Sequence, residues 1–567
     1  MSQIDRFSIV TLVFFFISTI FVIHPFSFHV RLPWIGRTKF TLGLMTAPII
    51  AIAILWAAQC LGPTQIRDGI VGTDSIKPYN ILILFISLAY MAITLDVTGI
   101  LQAAAFWVSN KGGDHGRRLY FYFYLLLTGI SMVVGNDPVI LSGTAFLVYY
   151  TAATNLEPIA WLISEFAAAN TASMVLFVGN PTNVVICEGF QVNNAAFTAY
   201  TILPFLACSI ACFAALALQF RDPKHVPPKL NHTGHLDVRA VLRDPVSACF
   251  GSLLLGTCLV LVIVLSFLHV DVWKITLPFA GAKFIFDLSW DHYRYKTGRI
   301  HHPGEEKHQD EDPAEDSDEP MVSALKRAMT MPQDMEQSAI SSATAVSRTE
   351  QPVKSEKGGT QPPSPIATTS SSSESTSVST GPPLFPKQRE RFHLMHRSLS
   401  AHFPTFFTAL PRLPFGLIPF AFSQFILIEA LSHQGWIDVF ASWLVKATNR
   451  QLVPTVWVVG VLGVILCNVA GTNIGATILL TKVVRAAPGF PASSTRAAAI
   501  ALAVASNVGA VSFTFSASLA GLLWKTILGQ KGIPIKQTTF AFWNLLPILA
   551  MTGVGLAIVT AEMKVLY

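Results

Sequence analysis

Blocks of about twenty apolar residues recur along this chain, and each is long enough to cross the roughly 30 Å hydrocarbon core of a bilayer. Residues 8–24 read SIVTLVFFFISTIFVIH, residues 41–61 read TLGLMTAPIIAIAILWAAQCL, and residues 247–268 read SACFGSLLLGTCLVLVIVLSFL. Only 13% of the 567 residues are charged, against 52% hydrophobic. A soluble fold of this length needs about a quarter of its residues charged to cover its surface. The chain is therefore expected to be an all-α polytopic membrane protein. Residues 8–24 have a spanning length and run into Pro25 and Phe26 rather than a small-residue cleavage site, so they are read as a retained first helix. The seven cysteines lie in apolar runs without metal-ligand spacing, and read as small buried hydrophobes.

Residues 296–405 break the pattern. They hold an acidic run from Glu305 to Glu319, a serine run from Ser370 to Ser373, and scattered Pro, Gln and Lys. Such a composition buries too little apolar surface to offset its ordering entropy, so a disordered, cytoplasmic insert is expected. It separates a first membrane half, 1–295, from a second, 406–567. The insert ends in a basic stretch, KQRERFHLMHR at 387–397, which suits either a surface facing anionic lipid or a solvated linker.

The halves resemble each other. LDVTGILQAAAFWVS (95–109) aligns with LSHQGWIDVFASWLV (431–445) through Gly99 and Gly435, and Asn170 falls on Asn507 in nearly the same register. This suggests a duplicated unit, with a first repeat at roughly 79–220. Repeats of this kind, often inverted, frame the substrate site of many secondary transporters.

Polar clusters interrupt the apolar blocks. Residues 119–220 contain no Lys or Arg, yet hold Gly135-Asn136-Asp137-Pro138 with Ser142 and Thr144. The same stretch holds Asn170-Thr171-Ala172-Ser173 and then Gly179-Asn180-Pro181-Thr182-Asn183. The second half has Asn468, Thr472, Asn473 and Thr477 between glycines, and Ser506, Asn507, Ser512, Thr514, Ser516 and Ser518. Pro and Gly interrupt a spanning helix and free backbone groups, which persist at membrane depth only inside protein or along a cavity. Freed carbonyls, amide oxygens and hydroxyls form the hard oxygen set of a sodium site, or of an oxyanion site where helix N-termini converge. Helix–helix packing is the competing reading for the lone hydroxyls. Asp137 is the leading intramembrane acid, as ion ligand, proton carrier or helix cap. Glu165 is second. Asp96, Glu188 and Glu429 read as boundary residues, and Lys482, Arg485 and Arg496 as interfacial. No nucleotide-binding, nucleophile or zinc-protease motif is present, so an enzyme is not expected.

Several segments carry a family resemblance: DVTGILQAAAFWVSNKGGDHGRRL followed by GNDPVIL, AAANTASMVLFVGNPTNVV, and SNVGAVSFTFSASLAGLLWKTILGQKGI. The sequence resembles the arsenite/antimonite permease family of the ion transporter superfamily, which includes citrate carriers and has a citrate transporter-like domain. It departs from that pattern at CNVAGTN and VSFTFSAS. The resemblance implies two inverted repeats with re-entrant hairpins and broken helices, and about ten to twelve spans. It places Asn136, Asp137 and Thr144 on the first hairpin and Asn170, Asn180, Thr182 and Asn183 on the first broken helix. Asn468, Thr472 and Asn473 fall on the second hairpin, and Ser506, Asn507, Thr514 and Ser516 on its broken helix. A sodium ion would lie near Asn136, Asp137, Asn180, Asn468 and Asn507.

The function implied is secondary active transport of a small inorganic oxyanion (arsenite-like) or a small carboxylate, driven by Na+ or H+. A cation/proton antiporter is the alternative within the class, and a non-transporting receptor or scaffold the alternative outside it. No cofactor beyond the coupling ion is expected. The partners are the transported ion and the lipid bilayer, not nucleic acid, and a homodimer is compatible with the fold. The membrane would be the plasma membrane or that of a vacuole or other organelle.

Overall fold

The computed structural model describes residues 4–32, 36–73, 76–230, 236–268, 270–299 and 386–567. The first helix, α1 (Arg6–Ile23), starts at a capping box. The Asp5 carboxylate accepts from the Ser8 amide at 2.8 Å, and Ser8 Oγ accepts from the Asp5 amide. This helix packs into the body of the protein, as Trp436 Nε1 donates to the Ser8 carbonyl at 2.8 Å. An antiparallel ribbon follows, β1 (Phe26–Leu32) and β2 (Gly36–Leu42), with Phe26 opposite Leu42. It departs from the all-helical expectation. Pro25 and the alternating FSFHVRL pattern stop the helix and favour strands there. Next come α2 (Thr46–Ala57) and α3 (Pro63–Val71).

A run of seven helices follows: α4 (Pro78–Val97), α5 (Ile100–Gly112), α6 (Gly116–Val134), α7 (Asn136–Ala153), α8 (Pro158–Ala172), α9 (Pro181–Phe190) and α10 (Asn194–Gln219). A short α11 (Val238–Val241) leads to α12 (Pro245–Leu265) and α13 (Trp273–Lys296). Beyond residues 300–385, which lie outside the described residues, stand α14 (Pro386–His402) and α15 (Pro404–Ala409). The expected disordered insert is corrected in its last part, since residues 386–402 are helical. Its ordered end is rich in good helix formers such as Lys, Gln, Arg, Glu and Leu.

The seven-helix run then recurs: α16 (Leu417–His433), α17 (Trp436–Thr448), α18 (Leu452–Val469), α19 (Asn473–Ala486), α20 (Ala492–Val511), α21 (Leu519–Gln530) and α22 (Gln537–Leu566). The turns match as well as the helices. Gly99 and Gly435 precede α5 and α17 with φ of +87° and +78°, and Gly135 and Gly471 follow α6 and α18 with φ of +86° and +88°. Glycine takes this left-handed conformation without the Cβ penalty. Packing between the repeats is reciprocal: α9 lies on α19, α21 lies on α7, α8 meets α20, and α10 meets α22. That exchange is what a pseudo-two-fold relation between repeats produces.

Helix association in lipid depends on close packing, so small residues line the contacts. A Cβ on Gly463 would stand 2.7 Å from Ala505 Cβ, and one on Gly555 2.7 Å from Cys208 Sγ. Aromatic rings fill the seam between repeats, with Phe166 5.5 Å from Trp524 and 5.2 Å from Phe540, centroid to centroid. Six cysteines are buried; Cys249 is exposed and departs from the expectation.

Among the described residues, eight segments are long and apolar enough to cross a membrane: α1, α4, α10, α12 with its 3-10 extension, α15 through α16, α18, α20 and α22. α6 and α13 have the length but carry charged residues. The protein is a multi-pass membrane protein.

Candidate functional site

Each repeat contains a helix–turn–helix whose turn is glycine and a spanning helix that breaks. In the first, α8 ends at Ala172 and the chain passes through a 3-10 turn, Phe177–Gly179, before α9. Gly179 is required there, because a Cβ would stand 2.4 Å from the Ser173 carbonyl. Asn180 caps α9, its Oδ1 accepting from the Thr182 amide at 3.2 Å, and Pro181 takes the first helical position. In the second, α20 ends at Val511, Ser512 has φ of +54°, and a 3-10 turn, Phe515–Ala517, leads to Ser518. Ser518 caps α21, accepting from the Gly521 amide at 3.0 Å.

The first break meets the second broken helix at Asn507, one turn before α20 ends. Its Oδ1 accepts from Ser173 Oγ at 2.9 Å and from Asn180 Nδ2 at 3.1 Å. Its Nδ2 donates to Asn183 Oδ1 and to the Ala503 carbonyl, both at 2.9 Å. Asn183 Nδ2 in turn donates to the carbonyls of Ser173 and Leu176, both at 2.9 Å, which closes the first break. Ser506 Oγ lies 3.3 Å from Thr182 Oγ1. Ser173, Asn180, Thr182, Asn183, Ser506 and Asn507 are all buried. Burying so many amides in an apolar setting is costly unless each is paired, and here each has a partner.

The hairpins approach this centre from two sides. Asn136, at the start of α7, donates through Nδ2 to Asn170 Oδ1 at 3.1 Å. Asn473, at the start of α19, donates to the Ser506 carbonyl at 3.5 Å, and Thr472 caps that helix by accepting from the Gly475 amide. The structure thus brings together Asn136 with Asn170, and Asn180, Thr182, Asn183, Asn473, Ser506 and Asn507. Asp137 lies in the first turn of α7, part-buried, with no hydrogen-bond partner for its carboxylate among the described residues.

Other expected site residues lie apart from Asn507. Thr144 is 3.0 Å from both carboxylate oxygens of Glu165, which is fully buried against Gly143. Asn468 instead supports the second break: its Oδ1 accepts from the amides of Phe513 at 2.9 Å and Thr514 at 3.2 Å. Ser516 Oγ reaches Thr514 Oγ1 at 3.5 Å in that same loop. Of the residues expected near sodium, Asn180 and Asn507 bond each other directly, and Asn468 is taken up by backbone amides.

Three basic residues read as interfacial also make side-chain ties between helices. Lys482 is buried, its Nζ 2.7 Å from Glu429 and 2.8 Å from Thr73 Oγ1. Arg485 donates to the Gly189 carbonyl, joining α19 to α9. Arg496 lies over the Tyr200 ring. Of the boundary acids, Asp96 is buried and reaches Arg412 at 3.4 Å, and Glu188 accepts from the Lys77 amide at 3.0 Å. Sequence reasoning missed Gln424. Its Oε1 is buried with no hydrogen-bond partner among the described residues, and a Cβ on Gly475 would stand 3.0 Å from it. A single amide within LIPFAFSQFILIEALSH carries no local signal of that contact.

The chain matches the family model described as Citrate transporter over residues 10–294, half its length. It is 25% identical over 257 residues to the arsenical pump membrane protein of Escherichia coli, covering 44% of this chain and 59% of that protein. The corresponding protein of Yersinia enterocolitica is 23% identical over the same extent. The chain thus spans under two thirds of the length of these curated relatives. The solved structure of the Alcanivorax borkumensis YdaH transporter, reported to have an unusual topology, aligns over 99% of both chains at 10% identity with a TM-score of 0.35. With a family match across half its residues, and with the helices that match contains lying in a membrane fold, the chain belongs to the citrate transporter family, CitMHS.

Proposed function

We propose that this protein is a secondary active transporter of a small anion, an inorganic oxyanion of the arsenite type or a small carboxylate, driven by a Na+ or H+ gradient. The observation that carries this reading is the meeting of two broken helices at Asn507, which joins buried side chains of both repeats. Two breaks packed against two hairpin starts supply what an anion needs without a fixed cation: helix N-termini, amide N–H groups and hydroxyls. Family membership supports transport, and the names of the relatives support an arsenic oxyanion as one substrate to test. Asn136, Asn170, Asn180, Thr182, Asn183, Asn473, Ser506 and Asn507 are the residues proposed to surround the ion. Thr144, Asn468, Thr472, Thr514 and Ser516 are proposed to hold the hairpin and break that frame it.

One observation favours cation/proton antiport as a second reading. Asp137 has an unpaired carboxylate beside Asn136 among the described residues, which suits a carrier of Na+ or H+. The test is flux into proteoliposomes under imposed Na+ and H+ gradients, with arsenite, phosphate, silicate, citrate and succinate as solutes. Gradient-dependent flux of one anion is expected. Sodium–proton exchange with no anion moved would establish the second reading, and no gradient-dependent flux of any solute would overturn both.

A further inference from the structure

We propose that α14 (Pro386–His402) is an interfacial helix that lies on an anionic lipid surface. Phe392, Met395 and Leu399 are 59%, 53% and 39% exposed, and their i, i+3, i+7 spacing puts them on one face. Leu394, also exposed, stands off that stripe. From 387 to 397 the sequence holds four Lys or Arg against one Glu. An apolar stripe on a basic helix matches the chemistry of a bilayer surface rich in anionic headgroups, where the stripe enters the acyl boundary and the cations meet phosphate or carboxylate.

Two further observations set α14 at the height of the membrane boundary. It ends one residue before the segment Pro404–His433, which is long and apolar enough to span. It also docks on the end of α13: His402 Nε2 is 2.7 Å from His292 Nδ1, and the His402 ring lies 4.1 Å from that of Tyr295. Tyr293 and Tyr295 are exposed there, as aromatic residues are at the headgroup level. The apolar stripe, the charge and the anchoring thus point to one occupant, a lipid surface.

The test is backbone hydrogen exchange across residues 386–402 in the full chain, reconstituted in nanodiscs of phosphatidylcholine alone or with about a third phosphatidylserine. Exchange is expected to slow about ten-fold with phosphatidylserine, and the slowing to disappear in Arg391→Gln/Arg397→Gln and in Phe392→Ser/Met395→Ser/Leu399→Ser. The rest of the chain should exchange as in the parent, which shows that the variants fold. Equal exchange in the two lipids would overturn the proposal. So would protection that survives both variants, which would mean that another part of the chain covers the helix.

Discussion

The two broken helices solve the same problem with different residues. In the first repeat the break closes on itself: Asn180 caps α9, and Asn183 bonds two carbonyls of the preceding turn. In the second repeat Ser518 caps α21, but Leu519, Ala520 and Gly521 follow it and bring no side-chain carboxamide. Its loop amides are held from outside, by Asn468 on α18. A carboxamide both donates and accepts and can tie two strands of backbone, whereas a hydroxyl is spent on the cap. The centre is therefore lopsided. The first repeat supplies the break itself, and the second supplies Asn507 from α20, one turn before that helix breaks.

Replacing Asn507 should have the largest effect. Asn507→Ala removes five hydrogen bonds and leaves Ser173, Asn180 and Asn183 each short of one. Unpaired buried polar groups cost about 1–3 kcal/mol each, so thermal unfolding in detergent should show a loss of about 3 kcal/mol or more, with flux abolished. Asn468→Ala leaves two loop amides without their acceptor, and should cost about 2 kcal/mol while slowing rather than ending transport. Equal flux defects in the two variants would break the contrast between a central and a supporting asparagine.

The glycines test the likeness rather than the difference. A Cβ at Gly179 or at Gly521 would stand 2.4 Å from a backbone oxygen, of Ser173 or Phe515 respectively. Ala at either should destabilise by a similar amount, about 1–3 kcal/mol. A large disparity would show that one break is far softer than the other.

Asp137→Asn should change stability by no more than about 0.5 kcal/mol, since the carboxylate has no described partner to lose, yet end dependence on the driving ion. Retained ion dependence in a well-folded variant would remove Asp137 from the site. The smallest effect lies outside the membrane. Asp271 accepts from Lys274, which, with Lys77 nearby, holds its carboxyl below the usual value of 3.8. A depressed acid stabilises the fold above its unfolded pKa, and this contribution is lost as pH falls through the folded value. The group is partly exposed and screened by solvent, so a pH titration of unfolding should show only a few tenths of a kcal/mol below about pH 4, absent in Asp271→Asn. Both breaks should be untouched by it.

Much of the frame was legible because it is written in local rules. The glycines at 99, 135, 435 and 471 mark left-handed turns, and GNPTN announces a cap with proline behind it. What stayed hidden depends on distance along the chain. The hydrogen bond from Asn507 to Asn183 spans 324 residues, and that from Phe513 to Asn468 spans 45, so no local pattern separates the central asparagine from the supporting one. The helical end of the insert was hidden for another reason: its charged residues dilute the apolar periodicity, and the helix is fixed by docking on α13.

The reciprocal packing of the repeats also bears on how the protein is made. α9 and α7 rest on α19 and α21, which leave the ribosome much later. At about 5–20 residues per second, the 324 residues between Asn183 and Asn507 take roughly 16–65 s to synthesise. During that interval the polar break of the first repeat stands without its partner. Lipid, water or the insertion machinery must shelter Asn180 and Asn183 until α20 arrives, so the stretch between the repeats acts as a delay line in biogenesis as well as a connector.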